Sequence, residues 1–177
     1  RSALPGTAST TRPRKAAMKT TSCGVLVLDA TPEVLLCHVT GTARWDIPKG
    51  LRDAGEGESQ AAARELDEEC GILVPTGVLY DLGRFTYRRG KDLHLFAVLV
   101  ARIDTRLCFC ASTFEDRAGR VRPEMDGFRW AAFDAVAAAC APSMAEVLTA
   151  RLSLDALARR LEAAGPPIVP ALRARPS

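Results

Sequence analysis

Residues 50–72, GLRDAGEGESQAAARELDEECGI, constrain this chain more than any other stretch. Glu65, Glu68 and Glu69 stand at i, i+3 and i+4, so a helix through them projects three carboxylates from one face. Like charges at those spacings cost a helix roughly 0.2–0.5 kcal/mol per pair, and an acidic cluster on an otherwise good helix therefore calls for a counter-charge absent from the sequence. A hard divalent cation, Mg²⁺ or Mn²⁺, meets that need, because it prefers a few carboxylates and completes its shell with water and phosphate oxygens. Ser59 is the expected N-cap and Gly71 the expected C′ residue, with strong helix formers between them. Ala62, Leu66 and Cys70 recur at four-residue spacing and should bury the side away from the glutamates. Gly50, Gly55 and Gly57 allow the preceding loop to fold back closely.

The order Gly50, five residues, Glu56, seven residues, Arg64-Glu65-Leu66, one residue, Glu68-Glu69, one residue, Gly71-Ile72 resembles the Nudix box, with every defined position filled. So many spaced, single-type positions make this a specific match. A looser resemblance covers about residues 21–139, including Trp45-Asp46-Ile47-Pro48-Lys49 before the box and the segment 124–130. It implies an α+β domain of the α/β/α sandwich type, a mixed β-sheet between helices. It also implies hydrolysis of a nucleoside diphosphate linked to a further group. Metal ions would neutralise the phosphate oxygens and activate water for in-line attack. By the same resemblance Glu65, Glu68 and Glu69 are metal ligands and proton acceptors, Glu56 is a supporting acid, and Arg64 orients a neighbouring glutamate. A backbone carbonyl at Lys49 or Gly50 would complete the metal site. In some relatives a later loop supplies the general base; Glu115, Asp116, Glu124 and Asp126 are the candidates here, with Glu124 favoured as base or accessory ligand.

Substrate choice must come from outside the box. Lys49, Arg88, Arg89 and Lys91 could meet extra phosphates, and Tyr87 could stack on a base. The lead-in and Tyr87 resemble the diadenosine polyphosphate hydrolases more than the ADP-ribose pyrophosphatases, so a dinucleoside polyphosphate is the expected substrate. ADP-ribose and nucleoside triphosphates, including oxidised ones, are the alternatives. A nucleotide-binding regulator without catalysis is a reading of another class, but such domains usually lose box carboxylates.

At 177 residues, 47% of them apolar, the chain suits one domain with a substantial core. The formal charge of +3 conceals an uneven distribution, since residues 1–20 hold five basic residues and residues 165–177 two, with no acids in either. The remainder is net acidic, which argues against strong nucleic-acid binding through a broad basic face. The six cysteines lack zinc spacing and read as mostly buried thiols. No apolar run approaches the roughly 18 residues that span a bilayer, and the first 20 residues lack a secretory h-region, so a cytoplasmic monomer or homodimer without membrane contact is expected.

In chain order, residues 1–20 read as a disordered basic tail, 21–165 as the domain and 166–177 as a second disordered tail. Strands are expected at 23–28 and 33–39 as a hairpin, then at 78–87 and 92–103 as another with a basic tip at 88–91. Trp45 is assigned to the core. Residues 104–123 read as an irregular polar loop. A strand at 125–133 and a short helix at 134–140 follow, then an amphipathic helix opened by a capping box at Ser143 and Glu146.

Overall fold

The structure, a computed structural model, describes residues 19–174. Strand β1 (Thr20–Leu28) carries apolar side chains on both faces, Cys23, Val25 and Val27 on one and Leu26 and Leu28 on the other, all fully buried. Such a continuous apolar run suits a strand covered on both sides. Around it are β2 (Glu33–Val39), β6 (Tyr80–Arg88), β7 (Lys91–Leu99) and β10 (Met125–Ala132), in the order β10-β2-β1-β7-β6. β1 and β7 run parallel, from Thr20 opposite Lys91 to Leu28 opposite Leu99, and the other pairs are antiparallel, giving a mixed sheet.

The β1–β2 hairpin is closed only at its turn, where Leu28 faces Val34. Beyond that the strands part, and residues 45–51 fill the gap. β3 (Trp45–Asp46) pairs with β2, and β4 (Lys49–Leu51) pairs with β1 from Ser22 to Gly24. This wedge sets Lys49 and Gly50 beside helix α1 (Glu58–Cys70), which covers one face of the sheet with Ala61, Ala62, Leu66 and Cys70. The other face is covered by α2 (Val136–Ala139), α3 (Pro142–Glu146), a π-turn at Val147–Arg151 and α4 (Leu154–Ala164), through Val136, Met144, Leu148, Leu157 and Leu161. Five of the six cysteines are buried and Cys110 is half-buried. No described helix is long and apolar enough to cross a membrane.

Several expectations need correction. The cap of α1 lies two residues before the expected one: Gly57 is the N-cap, and its N–H donates to the Gln60 side chain at 2.9 Å. Trp45 is only partly buried, packed against the margin of the core with the Arg129 guanidinium 4.2 Å from its ring centre. Ser143 lies inside α3, whose N-cap is Ala141, because Pro142 at the first helical position has no N–H to satisfy. The helical region breaks at Leu152, and Ser153 caps α4 by accepting from the N–H of Ala156.

The largest difference is at the carboxy-terminal end. Residues 166–174 dock: Ile168 bridges Val100, and β11 (Ala171–Leu172) pairs with β5 (Ile72–Leu73), directly after α1. Arg173 then forms an ion pair with Asp67 in the last turn of α1, its Nε 2.7 Å from Oδ1. The segment lacks apolar periodicity and therefore resembles a tail, but sheet pairing fixes it through backbone groups. The expected tail at 1–20 lies almost wholly outside the described residues; Thr20 already belongs to β1.

Candidate active site

The loop between β4 and α1 is shaped by close approach at Gly50. A Cβ at this position would lie 2.1 Å from the Glu65 carboxyl carbon, so only a glycine lets the backbone touch that carboxylate. At the other end of α1, Gly71 adopts φ 69° and its N–H donates to the Asp67 carbonyl at 2.8 Å, ending the helix in the left-handed region. Loop residues complete this end, where Ala111 N–H donates to the Glu68 carbonyl at 2.6 Å and Phe109 N–H to that of Cys70 at 3.2 Å.

Arg64 organises the acidic residues. Its Nε and Nη2 each bond one oxygen of Glu56 at 2.9 Å, Nη1 bonds Glu65 at 2.7 Å and Glu68 at 3.1 Å, and Nη2 also bonds the Leu51 carbonyl at 3.0 Å. Part of the counter-charge expected from outside the sequence thus comes from within the helix. The Glu56 hydrogen bonds are the main reason the Arg64 pKa is raised, and Arg64 in turn holds Glu56 below the usual carboxylate range.

The three glutamates do not share one open face. Glu68 is half-exposed, whereas Glu65 and Glu69 are 8% and 2% exposed. Burial raises the Glu65 pKa against the opposing pull of Arg64, and Glu68 and Glu124 add to the rise. Glu69 is pushed up to about 8, first by burial, with Glu65 and Glu124 adding to it against the opposing charge and backbone N–H of Lys49. That N–H donates to Glu69 Oε2 at 2.8 Å. Lys49 Nζ turns to Asp46, 2.7 Å away. Burial alone would lower the Lys49 pKa, but Asp46 and Glu69 together raise it.

Lys49, Glu69, Asp46 and Glu124 line one cavity of about 420 Å³, together with Thr40 and Phe114. A groove of about 470 Å³ passes Thr105, Phe109 and Phe128 but holds none of the box carboxylates, so the smaller cavity is the chemically equipped one. The loop at 104–123 shapes it. Far from irregular throughout, this segment contains the hairpin of β8 (Thr113–Glu115) and β9 (Val121–Pro123), which presents Phe114 and leads into Glu124.

The other expected residues separate into two groups. Lys91 lies near Lys49 and Arg88, and burial followed by these two like charges lowers its pKa. Tyr87, expected to stack on a base, is 8% exposed in the helix-side core, with the Arg88 guanidinium 4.8 Å from its ring centre. Arg88 is not a free phosphate clamp either, since its Nε donates to Ser143 Oγ at 3.2 Å. Among the candidate bases, Asp116 is taken by Arg120 at 2.8 Å, Asp126 pairs with His38, and Glu115 is exposed on β8; only Glu124 faces the cavity. Asp46, Thr40 and Phe114 were not singled out from the sequence. Asp46 lies within the recognised lead-in, but nothing local marks the other two.

A family model for the NUDIX domain matches residues 18–151. The chain belongs to the NUDIX family. It is accordingly a hydrolase acting on phosphoanhydride bonds. An uncharacterized 17.7 kDa protein of Enterobacteria phage T4 is 38% identical over 122 residues, covering 63% of this chain and 81% of the phage protein. An 8-oxo-(d)GTP phosphatase of Mycolicibacterium smegmatis is 47% identical over 58 residues, covering 33% of this chain and only 17% of that protein. Among solved structures, the E. coli ORF135 protein superposes with a TM-score of 0.55 at 19% identity, covering 82% of this chain and 97% of that one, a likeness of fold.

Nudix hydrolases generally use divalent metals, and the residues present fit such an ion. The available donors are hard oxygens, as Mg²⁺ and Mn²⁺ prefer. Glu69 is a buried carboxylate under the influence of two more, and Gly50 brings backbone against Glu65. Among the described residues no three side chains of His, Cys, Asp or Glu already form a metal cage.

Proposed function

We propose that this chain is a metal-dependent pyrophosphohydrolase of nucleoside polyphosphates, with a nucleoside 5′-triphosphate as its favoured substrate. The observation that carries the reading is the convergence of Glu69, Glu124 and Lys49 on one cavity beside the Arg64-bound glutamates. Glu65, Glu68 and Glu69, with the Gly50 carbonyl, would hold Mg²⁺ or Mn²⁺. The bound cation supplies neutralisation of phosphate charge and a more acidic water. Arg64 fixes the rotamers of Glu56, Glu65 and Glu68, so their reorganisation need not accompany the reaction. Glu124 faces the cavity and would accept a proton from the attacking water, while Lys49, steadied by Asp46, would meet phosphate oxygens.

The preference for one nucleoside rests on the size of the cavity, about 420 Å³, and on the M. smegmatis relative, whose name specifies a nucleoside triphosphate. Dinucleoside polyphosphates are the second reading, favoured by one observation: Lys91 lies within the electrostatic influence of Lys49, two cations suited to a longer phosphate bridge. The loss of Tyr87 as a stacking surface weakens that reading. The test is a panel of nucleoside triphosphates, oxidised triphosphates, dinucleoside polyphosphates and ADP-ribose, with Mg²⁺ and with chelator, compared by kcat/KM. Triphosphates should lead, and turnover should vanish in chelator and in Glu69→Gln. Full activity in chelator would overturn the metal assignment, and binding without hydrolysis of any substrate would favour a regulator.

A further inference from the structure

The cavity is lined by two chemically distinct sets of residues. Besides the charged Asp46, Lys49, Glu69 and Glu124, its walls are Val39, Thr40, Phe114 and Met125. Phe114 is 37% exposed and belongs to neither core cluster, so its ring is available at the cavity wall. Thr40 is 6% exposed, and its Oγ1 is buried without a hydrogen-bond partner among the described residues. A buried hydroxyl left unpaired is destabilising, so an unmet partner there needs an explanation.

We infer that Phe114 and Thr40 form the nucleobase subsite, Phe114 supplying a stacking face and the Thr40 hydroxyl bonding a polar edge of the nucleoside. The inference deepens the proposed function and rests on it for the identity of the phosphate half. Stacking on an aromatic face and one hydrogen bond at the rim of an apolar pocket are the two contacts that a base, with its π-face and polar edges, requires. The subsite is tied to the catalytic half through backbone bonds. Thr40 N–H donates to the Glu124 carbonyl at 3.0 Å, and Glu124 N–H donates to the Ser112 carbonyl, also at 3.0 Å, at the foot of the Phe114 hairpin. Seating a base against Phe114 therefore bears on the position of Glu124, and the sequence between 104 and 123 acquires a role that its polarity hid.

The experiment compares calorimetric Kd values, with Mg²⁺, for a methylene-bridged nucleoside triphosphate analogue and for inorganic triphosphate, on the full chain and on Phe114→Ala, Phe114→Trp and Thr40→Val. The parent should bind the nucleoside analogue more tightly than inorganic triphosphate. Phe114→Ala should reduce that preference about 10-fold or more, and Phe114→Trp should retain it. Thr40→Val should reduce it several-fold while leaving the melting temperature of the ligand-free protein equal or higher, because an unpaired hydroxyl is removed. No preference in the parent, equal losses on both ligands in Phe114→Ala, or an unchanged preference in Thr40→Val would overturn the subsite. Hydrolysis is read separately: selective binding that depends on Phe114, without turnover, would sink the catalytic reading and leave the subsite standing.

Discussion

Arg64 holds both carboxylate oxygens of Glu56, with Nε and Nη2 each 2.9 Å from its partner, and reaches Glu65 and Glu68 with its remaining nitrogen. A planar guanidinium can make these contacts at once, whereas an ammonium cannot. Arg64→Lys is therefore expected to lower kcat by at least 10-fold and to lower stability by about 1–3 kcal/mol, the scale of charged hydrogen bonds lost. Denaturant unfolding and steady-state kinetics on the same preparation check both; parental kinetics in the lysine variant would show that the web is dispensable.

Gly50 and Glu65 make a second pair whose fit is steric. Because the alanine Cβ would lie 2.1 Å from the Glu65 carboxyl carbon, Gly50→Ala must displace either the loop or the carboxylate. Mg²⁺ affinity, read by titration of the melting temperature, should fall by an order of magnitude or more, since a donor moved by this much leaves the shell. Gly55→Ala is the informative companion. It sits at φ 81° with open space around it, so it should cost stability through backbone strain and leave Mg²⁺ affinity near that of the parent.

What the sequence made legible follows the range of the forces involved. The helix that carries Arg64, Glu65, Glu68 and Glu69, and the close approach at Gly50, are legible because helix periodicity and loop geometry are local. The strand expected at 23–28 and the helix expected from a cap at Ser59 are legible for the same reason, although they begin at Thr20 and Glu58. The depth of Glu69 is not local: it depends on the wedge of residues 45–51 between β1 and β2, which follows from long-range pairing. Tyr87 was misplaced because strand alternation cannot say which face α3 covers. Thr40 and Phe114 come together only when β9 runs into β10 beside the end of β2, a juxtaposition that no spacing in the chain records.

The carboxy-terminal segment supplies a third prediction. Ile168 pairs with Val100, Leu172 with Ile72, and Arg173 with Asp67, so removal of residues 168–177 should destabilise the domain. The loss of partly buried Ile168 and Leu172 alone is worth roughly 1–3 kcal/mol. Because β11 supports the strand that follows α1, kcat should fall as well. An unaltered melting temperature in the truncated protein would show that the docked strand contributes nothing.

The last prediction concerns pH in metal-free protein. Glu69 moves from an ordinary 4.5 in the unfolded chain to about 8 when folded, mainly through burial. Between those values the folded state holds a proton that the unfolded state has released, so unfolding becomes easier as pH rises through this window. The contribution is fully present below pH 4.5 and lost as pH passes 8; at about 1.4 kcal/mol per pKa unit it amounts to several kcal/mol. Glu65, also raised by burial, adds in the same direction. Glu56 has the opposite sign, since Arg64 lowers its pKa and its contribution disappears in acid. Chelator-treated protein should thus be most stable near pH 5 and weaken toward pH 9. Glu69→Gln should flatten the alkaline slope, because a neutral amide needs no proton to remain buried. Saturating Mg²⁺ should also flatten it in the parent by stabilising the ionised carboxylate. Melting curves from pH 5 to 9 on the two proteins, with chelator and with Mg²⁺, read all these slopes. Equal slopes in parent and Glu69→Gln without metal would place the titrating group elsewhere.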